Sequence, residues 1–246
     1  MTLPLASRIA LVTGASRGIG RATALALARA GAHVVAVART VGALEELDDA
    51  VRAAGSTATL VPLDLKDYDG IDRLAAALNE RYGRLDILIG NAGILGPLSP
   101  IDHVPPADWD NVMAVNVTAN YRLLRACVGL LKASDAGRAV FMTSGVAHQA
   151  RAYWGPYAVS KAAVDVLVRT VAAETVNTPV RINAFSPGLV GTRMLATAFP
   201  GLDLETVASP DSIGDAIVPL CLPSVTETGC CYSMTEKKFL QFSPPH

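Results

Sequence analysis

Tyr157 and Lys161 put a phenol and an ammonium four residues apart in a stretch that reads as helix. At that spacing two side chains share one helical face, one turn apart. A free tyrosine has a pKa of about 10, too high to trade protons well near neutrality. A neighbouring cation favours phenolate and lowers that value. The pair therefore reads as a tuned general acid/base, against the alternative of a surface Tyr–Lys pair with the same spacing. A second run, Thr13-Gly14-Ala15-Ser16-Arg17-Gly18-Ile19-Gly20, has the chemistry of a phosphate cradle. Glycines let the backbone approach a pyrophosphate, and a helix start aims N–H groups at it.

The flanking sequence supplies what such a cradle needs. Ile9-Ala-Leu-Val12 is a short apolar run suited to a buried parallel strand. Arg21 to Ala30 is rich in helix formers and is stopped by Gly31. Strand, glycine turn and helix follow in the order that admits a dinucleotide. The spacing is GxxxGxG, not the common GxGxxG.

Further strands are expected at His33–Ala38, Ala58–Leu63, up to Asn91, up to Ser144, up to about Ser186, and at Gly229 to Met234. Helices are expected over about 42–54, to about Tyr82, over 107–131 as one long rod, from Tyr157, and from Ser209-Pro210. The last is a good N-cap and N1 pair. This alternation predicts an α/β fold, a three-layer doubly wound parallel sheet in a single domain covering 1–246. Ligands on such sheets bind at the carboxyl ends of the strands. Gly14, Arg39, Asp64, Asn91, Ser144 and Pro187 all fall at those ends.

Taken together and in this order, these motifs resemble the short-chain dehydrogenase/reductase family, over nearly the whole chain. The matching residues include Asn91-Ala92-Gly93, Asn116, Ser144, the Tyr157/Lys161 pair, Pro187-Gly188 and Thr192. Val180 to Gly188 is especially similar to the 3-oxoacyl-carrier-protein reductase branch. The C-terminal run Thr228 to Phe239 departs from it, lacking the acidic, double-glycine turn. Gly90 stands where the family often has a first asparagine.

The resemblance implies an oxidoreductase interconverting a ketone or aldehyde and an alcohol. Hydride arriving at a carbonyl carbon leaves an alkoxide that needs a donor and a proton. Tyr157 would supply the proton, Ser144 would hold the substrate oxygen, and Lys161 would also hold the nicotinamide ribose. Asn116 would position a water leading to Lys161. Gly14, Ser16, Arg17, Gly18, Ile19 and Gly20 would bind the cofactor phosphates. Asp64 and Leu65 would border the adenine, Asn91, Ala92 and Gly93 the middle of the cofactor, and Pro187, Gly188 and Thr192 the nicotinamide. Folds of this type that prefer NAD carry an acid about 20 residues after the glycine loop. Arg39 stands there instead, with Arg17 inside the loop. Two guanidinium groups suit a 2′-phosphate, so NADP(H) is expected over NAD(H). The alternative is an Arg39 that is solvated or stacks on adenine.

Composition sets the outer bounds. The chain has 246 residues, a net charge of −1 and an apolar fraction of 51%. That balance suggests no nucleic-acid or membrane partner. Neither a signal sequence nor an apolar run of membrane length is evident, so a cytoplasmic enzyme is expected. Cys127, Cys221, Cys230 and Cys231, and His33, His103, His148 and His246, show no metal-ligand spacing; no metal is expected. His148, four residues past Ser144, reads as a loop residue rather than a second base.

Two segments should wall the substrate pocket. One is 145–156, with Tyr153 and Trp154; the other is a substrate loop at about 189–208, with Met194, Leu195 and Phe199. The Tyr157 helix is apolar nearly all round, so Ala163, Val164 and Leu167 are expected in a subunit contact of a homodimer or homotetramer. A catalytically silent NAD(P)-binding sensor or scaffold, or an isomerase or dehydratase of the same fold, are the competing functions.

Overall fold

The computed structural model describes residues 3–242; Ser243 to His246, including one of the four histidines, lie outside the described residues. Eight strands form one sheet: β1 Ile9–Thr13, β2 His33–Ala38, β3 Ala58–Pro62, β4 Ile87–Gly90, β5 Arg138–Met142, β6 Arg181–Ser186, β7 Cys231–Ser233 and β8 Lys238–Leu240. Their spatial order is β3-β2-β1-β4-β5-β6-β7-β8. Every pairing through β7 is parallel, and β8 runs antiparallel on β7.

Strand alternation distributes the apolar residues to two cores. From β1, Ala10 and Val12 join one cluster, and Ile9 and Leu11 join the other. The first cluster takes in Leu25 and Leu27 of α1 (Gly18–Arg29), Leu44 and Leu47 of α2 (Val41–Ala53), and Ile213 and Ile217 of a C-terminal helix, Pro210–Ile217. The second takes in Ile71 and Leu78 of α3 (Tyr68–Tyr82), Leu123 and Leu124 of a helix over Ala119–Lys132, and Val164 and Val168 of a helix over Gly155–Glu174. Helices thus cover both faces of a mostly parallel sheet, as its continuous apolar strands require.

The helix expected over 107–131 runs without a break from Pro106 to Lys132 and carries one π turn within it. α4 spans Pro106–Met113 and α5 spans Ala119–Lys132, with a π-helical turn at Ala114–Thr118 between them. The cause is Asn116, fully buried, whose side chain bonds outside the helix. π turns of this kind concentrate at functional sites. Beyond β5 come α6 (Val146–Gln149), α7 (Gly155–Glu174), α8 (Arg193–Ala198) and α9 (Pro210–Ile217). The expected Ser209 cap is present, accepting from Ser212 N at 3.2 Å.

β8 was not foreseen. Ser233 Oγ accepts from Glu236 N, Lys237 takes a left-handed φ of 53°, and the chain folds back as a hairpin. Tyr232 and Phe239 pair edge-on across it at 5.3 Å, and Tyr232 stacks on Phe185 of β6. Arg138 anchors the approach to this hairpin. Its buried guanidinium donates to the carbonyls of Gly137, Pro179, Leu222, Pro223 and Val225.

Candidate active site

The loops after β1 and β4 meet at the carboxyl edge, where the strand order reverses. Gly14 and Gly18 have φ of 67° and 55°, which glycine adopts without penalty. A Cβ on Gly20 would stand 2.3 Å from the Gly14 carbonyl oxygen, so this turn admits no side chain there. Arg17 occupies the N-cap of α1 in an extended conformation without a side-chain cap bond, and the first turn carries no acid. The leading N–H groups of α1 are therefore left to an anion. This cradle fits a dinucleotide pyrophosphate. Arg17 and Arg39 are both exposed at the same edge, and neither meets a carboxylate within 4.0 Å among the described residues.

Asn91 is spent on the cradle itself. Its Nδ2 donates to the Thr13 carbonyl at 2.9 Å, while the Asn91 and Ala92 amides donate to Thr13 Oγ1. Asp64 accepts from the Lys66 amide, and Leu65 is buried. Asn116 is also fully engaged: Oδ1 accepts from Ile94 N at 2.8 Å, and Nδ2 donates to Ile94 O and Ser160 Oγ, both at 2.9 Å. A Cβ on Gly93 would lie 3.3 Å from Asn116 Oδ1 and 3.5 Å from Lys161 Nζ, so these three residues converge on one spot.

Ser144 follows β5, and α7 carries Tyr157 and Lys161. Ser144 and Tyr157 line one cavity of about 1040 Å³ together with Ile19, Pro187, Gly188 and Thr192. Thr192 caps α8, accepting from Leu195 N at 3.2 Å, and its methyl reaches toward Gly18. The segment after β6 thereby closes over the glycine loop.

The electrostatics differ from expectation. Burial pushes the Tyr157 phenol up to about 12, and the nearby Ser144 hydroxyl only partly offsets this. Lys161, fully buried, is pushed down to about 8 by the same desolvation, with Asp165 pulling it back up. Its ammonium donates to the Met142 carbonyl at 2.8 Å and sits 5.6 Å from the Tyr157 ring centroid. The expected lowering of the phenol by Lys161 is thus absent in the protein alone, because desolvation dominates and the cation is directed at a backbone oxygen.

Both segments expected as pocket walls, 145–156 and 189–208, contribute side chains to the cavity lining. Trp154 packs against Tyr157 at 6.1 Å and Phe199 at 5.7 Å, with Met194 and Leu95 in the same cluster. Arg151 lies over both Trp154 and Phe199. Tyr153 does not contribute: at φ 73° its side chain turns out to solvent, 61% exposed. Two contributors went unseen in the sequence. The hairpin delivers Gln241 and Phe242 to the cavity, with Phe242 beneath Arg169 and 5.9 Å from the His148 ring. His148 and Asp165 form a close pair at 3.0 Å. Asp165 stands four residues past Lys161, a charge inside an apolar helix, and that was its legible signal.

A doubly wound sheet with a glycine cradle at its reversal point and a Ser–Tyr–Lys cluster beside it defines a dinucleotide-dependent oxidoreductase fold. The short chain dehydrogenase family model matches residues 8–203, and the chain belongs to that family of NAD(P)-dependent oxidoreductases. Among its relatives is the uncharacterized oxidoreductase YciK of Escherichia coli, 39% identical over 212 residues, covering 85% of this chain and 84% of that protein. An NADPH-dependent pterin aldehyde reductase of Arabidopsis thaliana is 34% identical, covering 85% of each chain. A Shigella flexneri short chain dehydrogenase structure complexed with NADP superposes with a TM-score of 0.90 at 36% identity, covering 95% of this chain and 99% of that one.

Proposed function

We propose that the protein is an NADP(H)-dependent oxidoreductase interconverting a ketone or aldehyde and an alcohol, with Tyr157 as general acid/base. The observation that carries this reading is the single cavity in which Ser144 and Tyr157 face Ile19, Pro187, Gly188 and Thr192. The glycine loop from Gly14 to Gly20 and the start of α1 hold the pyrophosphate. Arg17 and Arg39 take the 2′-phosphate, Asp64 and Leu65 flank the adenine, and Asn91 to Gly93 line the centre. The bound nicotinamide supplies the hydride chemistry.

The chain's own groups do the rest. Ser144 Oγ donates to the substrate oxygen and fixes its position. The Tyr157 phenol, held protonated by its dry surroundings, gives its proton to that oxygen during reduction and takes it back during oxidation. Lys161 sits behind it as the replenishing cation and as a donor to the ribose. Asn116, fixed by Ile94 and Ser160, holds the π turn that brings Gly93 and Lys161 together. Trp154, Met194 and Phe199 favour a substrate with an apolar or aromatic group beside its carbonyl.

Residues 1–246 act as one dinucleotide-binding and catalytic domain, with 189–208 as the substrate loop. The enzyme works in the cytoplasm, where its four unpaired cysteines stay reduced, and assembles as a homodimer or homotetramer. The test is a panel of ketones, aldehydes and alcohols, followed by NADPH absorbance, on the unmodified chain and on Tyr157→Phe. A silent sensor of the same fold would bind NADPH and turn over nothing in the panel.

A further inference from the structure

Asp165 is a buried carboxylate outside the groups already assigned. Its side chain is 3% exposed, on the face of α7 one turn beyond Lys161. Its one ion-pair partner among the described residues is His148, with Nε2 3.0 Å from Oδ2, yet neither carboxylate oxygen meets a well-aligned donor. The titratable and charged groups around it are Lys161 on its own helix, His148 from α6 and the Cys231 thiol on β7. The Thr143 hydroxyl from the end of β5, itself buried and without an aligned partner, stands beside it. Arg169, one turn further along α7, is exposed and lies over Phe242. Burying an acid with so few partners is costly, and structural cores rarely retain one without use.

We propose that His148 and Asp165 form a positioning pair for Lys161, in which Asp165 is the anion that keeps the Lys161 ammonium charged. In this arrangement His148 is the solvent-side arm that keeps Asp165 ionised. Burial alone drives Lys161 toward the neutral amine, and Asp165 opposes it. Burial alone drives Asp165 toward the neutral acid, while His148, Thr143 and Lys161 oppose that. The His148 ring, with Nε2 3.0 Å from Asp165 Oδ2, also lines the cavity. His148 is half exposed, so the charge state of a fully buried lysine becomes readable from the substrate side. The role assigned to Lys161 belongs to the function proposed above; the pair's effect on its charge does not require turnover.

The experiment is an NMR titration of the full chain carrying labelled lysine, with the Lys161 signal assigned by its loss in Lys161→Met. Asp165→Asn should move the Lys161 titration to lower pH by roughly one unit or more, the size a neighbouring charge gives. His148→Gln should move it the same way, and His148→Arg should restore the unmodified value. An unmoved Lys161 in Asp165→Asn overturns the inference, as does a His148→Arg protein that behaves like His148→Gln. Should Asp165→Asn fail to fold, the two His148 variants, at a half-exposed site, decide it alone. Turnover by Tyr157→Phe tests the function separately, so the two readings fall independently.

Discussion

Lys161 donates to the Met142 carbonyl at 2.8 Å and keeps its ammonium 5.6 Å from the centre of the Tyr157 ring. The two residues share a helical face without forming a direct pair; burial holds the Tyr157 phenol protonated and lowers Lys161 only to about 8, so Lys161 remains an ammonium below that pH. Tyr157→Phe deletes only the hydroxyl. It should retain folding and NADPH binding, followed by fluorescence, while kcat falls by about 10² to 10⁴-fold. Near-full turnover of a panel substrate by this variant would remove the acid/base role. Lys161→Met should lower kcat and weaken NADPH together. In the reduction direction, activity should decline as pH rises through about 8, where Lys161 loses its proton.

Cofactor preference follows from the exposed pair Arg17 and Arg39. Arg39→Asp removes one partner for a 2′-phosphate and adds repulsion, so kcat/KM should shift from NADPH toward NADH. Equal use of both cofactors by the unmodified chain would contradict the assignment.

Assembly needs a revised surface. Val164 is fully buried against the sheet within its own chain, so it is no subunit contact. The large apolar residues that α5 and α7 leave outward are Tyr121 and Val159, each 48% exposed, and Val166, 57% exposed. Light scattering should give a dimer or tetramer for the unmodified chain and a smaller species for Val159→Glu. A monomeric unmodified chain would end the case for assembly through α7.

Alkaline stability draws on groups that burial holds protonated, the Cys127, Cys221 and Cys231 thiols and the Tyr157 phenol. Cys127 and Cys221 are pushed up from about 9 to about 12 by burial. A raised folded value means the contribution is intact below pH 9 and lost as pH climbs from 9 to 12, since only the unfolded chain releases protons there. Lys161 has the opposite sign between about 8 and 10.5 and partly offsets the first part of that loss. Denaturant unfolding should therefore show stability falling above pH 9, with a shallower fall in the Cys127→Ala, Cys221→Ala double variant. A slope unchanged by the double substitution would refute this cause.

The substrate end is testable through Phe242. Phe242→Ala should change KM across the panel without altering NADPH affinity, because Phe242 lines the cavity beside His148 and Arg169. A matched loss in both would instead indicate general loosening of the hairpin.

Much of this was legible because it rests on local rules. The run His33–Ala38 is β2 to the residue, since a buried parallel strand is written as a continuous apolar run. The glycine loop, Ser144, Tyr157 and Thr192 reach one edge because strand ends in such a sheet must. What stayed hidden depends on partners distant in sequence. Asn116 looks like an ordinary helix asparagine until Ile94 and Ser160 are beside it. Val164 and Val159 are alike in type, and only the sheet's position separates buried from exposed. His148 has no motif at all; it gains a role when α6 and α7 pack together. β8 is too short and too charged at Glu236 to Lys238 to announce a strand, and its pairing is decided by Tyr232 and Phe239.

The hairpin has a practical corollary for anyone handling the gene. β8 returns the chain to the substrate cavity, where Leu240, Gln241 and Phe242 join the lining. Trimming after Glu236 would spare the glycine loop, the tyrosine and the lysine. A motif scan would score that shortened product as whole. An assay would find a wall missing, so activity screens need the hairpin through Phe242 intact.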